Sequence, residues 1–205
     1  MAREIPEQWP PLPQWLSADE SPWGVAVVDC RAYALGMRSV TQDAEVAASF
    51  TALRSNPGDH LRGAHPDDGE QVPSTLEWPV PSAPPDGPIF RAGAMEDKWD
   101  VTCHAGCLYF TRSWTGNLIY RLQTQFNDGL LSADAVEYDP SQANVELAPA
   151  VVDYIVKSHL LGFLCPHPAL VPGDDPHPIA LASFSLFGRA GWFATHDDTL
   201  QFRPD

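Results

Sequence analysis

Residues 95–122 read Met-Glu-Asp-Lys-Trp-Asp-Val-Thr-Cys-His-Ala-Gly-Cys-Leu-Tyr-Phe-Thr-Arg-Ser-Trp-Thr-Gly-Asn-Leu-Ile-Tyr-Arg-Leu. Side-chain character alternates with period two, the repeat of a β-strand. In the first run Trp99, Val101 and Cys103 alternate with Lys98, Asp100 and Thr102; in the second, Leu108 and Phe110 alternate with Tyr109 and Thr111. In the third, Leu118, Tyr120 and Leu122 alternate with Ile119, Arg121 and Gln123. His104-Ala-Gly106 and Thr115-Gly116-Asn117 separate the runs, and glycine or asparagine supplies the positive φ that tight turns need. The pattern predicts an antiparallel meander within 89–138, with a fourth strand around Ala133–Tyr138.

Helical spacing is found on either side. Thr41 is placed to cap a helix over about 42–54, where Val46, Phe50 and Leu53 form one apolar stripe. A second helix is expected over 149–164, with Pro149 in its first turn and its end before Pro166. Gly24–Cys30 reads as a buried strand and Trp192–Thr195 as a short last one, whereas Ile179–Phe187 fits strand or helix. The 21 prolines limit helix and predict long irregular segments. Residues 1–22, with Trp9-Pro-Pro-Leu-Pro-Gln-Trp15, read as an extended arm clamped by its tryptophans, and 55–88 as a long acidic, proline-rich loop. The expected architecture is α+β: an antiparallel sheet centred on the meander, two main helices packed on one face, long proline-rich loops, and one domain over 1–205.

A formal charge of −15 disfavours nucleic acid, whose phosphates the field of this chain would repel. A hydrophobic content of 44% is enough for a core, yet no apolar run is long enough to span a bilayer, and none resembles a secretory leader. The expectation is a cytoplasmic protein whose four cysteines are free thiols.

The charged and aromatic groups of the meander are the first candidate site: Glu96, Asp97, Lys98, Trp99 and Asp100 on one arm, Arg112, Ser113, Trp114 and Thr115 on the next. Arginine beside tryptophan can grip a carboxylate or phosphate and stack on a planar body. Glu96, Asp97 and His159 are candidates for proton transfer. The competing reading is structural, with Arg112 bridging Asp97 or Asp100 across the strands. Cys103-His-Ala-Gly-Cys107 and Cys165-Pro-His167 hold enough ligands for a tetrahedral metal, but Cys-x3-Cys is looser than a zinc knuckle, and no metal or other cofactor is expected. Asp153 and Lys157 stand in the favourable i,i+4 order of a surface helix pair. No nucleophile elbow or phosphate-cradling glycine loop is present.

The blocks Met95-Glu-Asp-Lys-Trp99 and Leu108-Tyr-Phe-x-Arg-Ser-Trp-Thr-Gly116 resemble segments of an uncharacterised bacterial family, some of them in accessory domains near ADP-ribosyl hydrolases. The resemblance spans the middle of the chain, implies no established activity and transfers no catalytic residue. Two functions are therefore expected. One is recognition of another protein, a basic one suiting the acidic surface, as in a toxin-neutralising immunity protein. The alternative is an enzyme or sensor acting on a nucleotide-like small molecule such as ADP-ribose.

Overall fold

The computed structural model describes residues 12–203, so Trp9 and the start of the proline-rich arm lie outside the described residues. The fold is α+β, with two mostly antiparallel sheets and four α-helices. The strands are β1 (Gln14–Leu16), β2 (Val27–Asp29), β3 (Glu70–Pro79), β4 (Gly87–Phe90), β5 (Trp99–His104), β6 (Cys107–Arg112), β7 (Leu118–Gln123), β8 (Gln125–Asn127), β9 (Leu130–Tyr138), β10 (His167–Pro168) and β11 (Phe193–Thr195). The helices are α1 (Arg31–Gly36), α2 (Ala44–Leu53), α3 (Ala148–Ile155) and α4 (Pro176–Phe187). The larger sheet runs β3-β9-β7-β6-β5-β4, with β8 beside β9, and the smaller runs β1-β2-β11-β10.

The meander forms in the expected order. Trp99 pairs with Arg112, Val101 with Phe110, and Leu108 with Leu122. Ala105 and Gly106 both take positive φ in the first turn, and Gly116 does so in the second. The third strand departs from simple alternation. Register shifts between Phe110 and Thr111, which face Tyr120 and Leu118, so Ile119 is the extra residue of a bulge. Ile119 joins the main core and Leu118 turns to the other face, against Leu61, Cys107 and Tyr109.

Three further expectations are corrected. The 55–88 segment is no structureless loop, because about a third of its length is occupied by the strand β3 and the start of β4. Pro73 and Pro79 hide this strand from a pattern reading, and the sheet tolerates them because β3 is an edge, paired to β9 alone. The end of the N-terminal arm is likewise a strand: Gln14–Leu16 pairs with Val27–Asp29, and Trp15 donates to the Asp174 carbonyl. Asp43, not Thr41, caps α2, accepting from the backbone of Glu45 and Val46, while Thr41 supports Asp43. The ambiguous 179–187 run is helical, started by Asp175 with Pro176 in the first turn.

α3 presses Val151, Val152 and Ile155 into the core formed by Trp78, Trp99, Phe110 and Leu122. It continues as a π-helical turn over Val156–Leu160, which carries Lys157 inward. The Asp153–Lys157 pair is thus no surface pair: the ions are 1% and 0% exposed and 2.5 Å apart. Trp78 also donates to Asp153, at 2.9 Å, and Lys157 donates to the Thr199 carbonyl. Burial holds the Asp153 carboxyl above its ordinary pKa, against the pull of Lys157. Removing one partner of such a pair strands a charge in low dielectric. Lys157→Met is expected to lose about 3–5 kcal/mol in urea unfolding, and adding Asp153→Asn to restore most of it.

Candidate functional site

The expected site residues lie on β5, β6 and the turns beside them, where the meander meets the C-terminal end of α4. That end is satisfied by side chains of the large sheet. The Leu186 carbonyl accepts from Trp99 Nε1 at 2.7 Å and from Arg112 at 3.2 Å; the Ser185 carbonyl accepts from Arg112 at 3.0 Å. A cation over the last carbonyls of a helix is electrostatically favourable. Gly188 closes the helix with φ 63° and ψ −138°, and a Cβ there would overlap the Glu96 carbonyl oxygen, so only glycine allows this approach.

The acids of the segment are engaged elsewhere. Asp100, 1% exposed, receives both ends of the Arg54 guanidinium at 2.9 and 2.7 Å and the Ala92 amide at 2.8 Å, with Arg91 3.6 Å away. Asp97 holds Arg189 at 3.1 Å and accepts from the Gly93 and Ala94 amides. Arg112 therefore bridges neither of them, contrary to the structural alternative weighed above. Ser113 is buried and donates to the Asp97 carbonyl at 2.6 Å. Trp114 donates to the Met95 carbonyl at 2.6 Å, and Thr115 is exposed at the turn, where its hydroxyl accepts from Asn117.

Lys98 is 9% exposed. Its ammonium donates to Ser39 Oγ at 2.6 Å and to the Met95 carbonyl at 3.2 Å, and lies about 5 Å from the rings of Trp114 and Phe184. Burial, then the positive charge of Arg112, lowers its pKa to about 8, with Glu96 and Asp97 opposing. Arg112 stacks on Trp99 at 4.8 Å, and burial lowers its pKa from the ordinary arginine value. It remains a cation, and two of its N–H groups on the carbonyls leave others free. Neither Lys98 nor Arg112 has a carboxylate partner among the described residues.

Both cations line one cleft of about 360 Å³, together with Ser113, Trp114, Thr115 and Asn117, and with Gln142 and Ser185 from distant parts of the chain. Trp99 lines an adjoining cavity with Arg112. Glu96, Asp97, Asp100 and His159 do not reach the cleft. His159 packs edge-on against Phe90, contacts Ser158 at 2.8 Å, and is pushed by burial to a pKa of about 4, so it is neutral near pH 7. Gln142, Ser39 and, from α4, Phe184 and Ser185 come from parts of the chain remote from the meander, with no local signature in the sequence. No group of three or more metal-ligating side chains gathers among the described residues. Cys103, Cys107 and Cys165 are buried as free thiols.

The chain was compared with protein-family models, curated proteins and solved structures, and it matches none of them.

The coupling of Lys98 to Arg112 can be read directly. A like charge disfavours the ammonium, so removing it raises the lysine pKa. In Arg112→Gln, the Lys98 side-chain resonance followed by NMR is expected to titrate above about 8, the wild-type value. A midpoint that stays or falls would show that the two cations do not share a field.

Proposed function

We propose that the chain is a recognition module whose cleft at the C-terminal end of α4 captures the anionic group of a small molecule. The carrying observation is the pairing of Lys98 and Arg112 on one cleft, both without a carboxylate counter-ion among the described residues of a chain of net charge −15. Arginine offers a fork for a carboxylate or phosphate and lysine a point charge. Ser113, Thr115, Asn117 and Gln142 add neutral hydrogen-bonding groups, and Trp114 an indole wall for a flat body. A nucleotide-like ligand suits this set. The groups expected to move protons, Glu96, Asp97 and His159, lie outside the cleft, which favours binding over turnover.

Phosphate, short carboxylates, AMP and ADP-ribose make the probe series for thermal unfolding. A ligand at one hundred times its Kd stabilises by about 2.7 kcal/mol. For a chain of this size that is a rise in Tm of about 5–10 °C. The stabilisation is expected to vanish in Arg112→Gln and to weaken in Lys98→Met. No shift with any of these anions at millimolar concentration would overturn the reading.

A second surface favours recognition of a basic protein. Trp15, Glu20, His196, Asp174 and Asp197 line a depression of about 560 Å³ on the smaller sheet, opposite in sign to the cleft. A basic partner is expected to be retained from lysate at low salt and released at high salt, because screening weakens exposed charge pairs. Equal retention at both ionic strengths would point to an uncharged contact instead.

A further inference from the structure

The cationic cleft does not end at Arg112. Arg112 and Gln142 also line the adjoining cavity, of about 230 Å³, beside Trp99, Ile119 and Leu186. Gln142, Ser185 and Leu186 in turn line a trough of about 330 Å³ between α4, α3 and the 142–147 connection. Its other walls are mainly apolar, with Ala143, Leu147, Val151, Leu170 and Ala182, and among the described residues no charged side chain lines it. The three hollows thus share walls around Gln142, cationic on the side of Lys98 and Arg112 and apolar on the side of Leu147 and Val151. A ligand site of mostly apolar lining with a few converging polar groups is the usual form of a small-molecule pocket.

We infer that the cleft and the trough hold one ligand, an amphiphilic anion with a carboxylate head at Lys98 and Arg112 and an apolar tail laid over Leu186 between α3 and α4. The inference rests on the anion-binding reading and adds the class of molecule. Charge complementarity fixes the direction of the head, and the absence of charge beyond Gln142 fixes that of the tail. Gln142 lines all three hollows, where head and tail would join, and its amide is held by donating to Asp139 at 2.6 Å. Ala182, half-buried on α4, lines the trough with only a methyl group.

The test is a series of straight-chain carboxylates, from acetate to decanoate below its micelle concentration, titrated calorimetrically into the full chain. Each methylene entering the trough is expected to tighten binding about fourfold, until the trough is full and the gain stops. Ala182→Trp, which fills the trough from the helix surface, is expected to bind acetate as the wild type does and to lose the dependence on chain length. Arg112→Gln is expected to weaken every member of the series by a similar factor. Affinity independent of chain length, with short anions still bound, would overturn the amphiphile and leave the anion site standing. A chain-length gain that persists in Ala182→Trp would place the tail elsewhere and overturn it too. Failure of every carboxylate, and of phosphate, AMP and ADP-ribose, to bind would remove both readings together.

Discussion

The structure turns on the way one helix end is finished. The last carbonyls of α4 find their donors in Trp99 and Arg112, across on the larger sheet. Gly188 then lets the chain pass against the Glu96 carbonyl, and Arg189 fastens to Asp97 just beyond. α4 also packs on the smaller sheet, so this seam joins the two sheets. It explains the burial of Arg112 without a carboxylate, since the helix terminus supplies the compensating negative field. It also sets Ser185 and Leu186 as one wall of the cleft.

Charges in this region are sorted. Asp100 is neutralised by Arg54 from the end of α2, and Asp97 by Arg189 from beyond α4. Had the two acids been matched within the meander, Lys98 and Arg112 would have been consumed there. Remote arginines take the acids, and the two meander cations are left facing a common space. Buried ion pairs of this type add little net stability. Their effect here is positional: Arg54 spans Asp100, the Ala92 carbonyl and the Ser113 carbonyl, and so fixes the strand ends that carry the cleft.

The meander was legible because its alternation is local, and its turns announce themselves through Gly106 and Gly116. The bulge at Ile119 was not, because an inserted residue leaves the composition of β7 unchanged while exchanging the faces of Leu118 and Ile119. β3 was hidden by prolines that only an edge strand can carry. In the smaller sheet β2 and β11 fall within the runs 24–30 and 192–195 that read as strands, whereas β1 and β10 are too short for a period to emerge, and the core is made between Val28, Ile179 and Ala194, far apart in sequence. Half of the candidate site followed from residue type: Lys98, Arg112, Ser113, Trp114 and Thr115 meet at one cleft. The acids and His159 lie outside that cleft, because their surroundings are set by long-range docking that spacing does not encode.

The sealing of Lys157 inside the core has a consequence for the outside of the protein. The chain has two lysines, and one of them is 0% exposed and locked to Asp153. The other, Lys98, is 9% exposed and lines the cleft, so a side-chain amine reagent meets it only by entering the cleft. Acylation there would erase one of the two cations, so lysine chemistry on this molecule doubles as a reporter of whether the cleft is vacant.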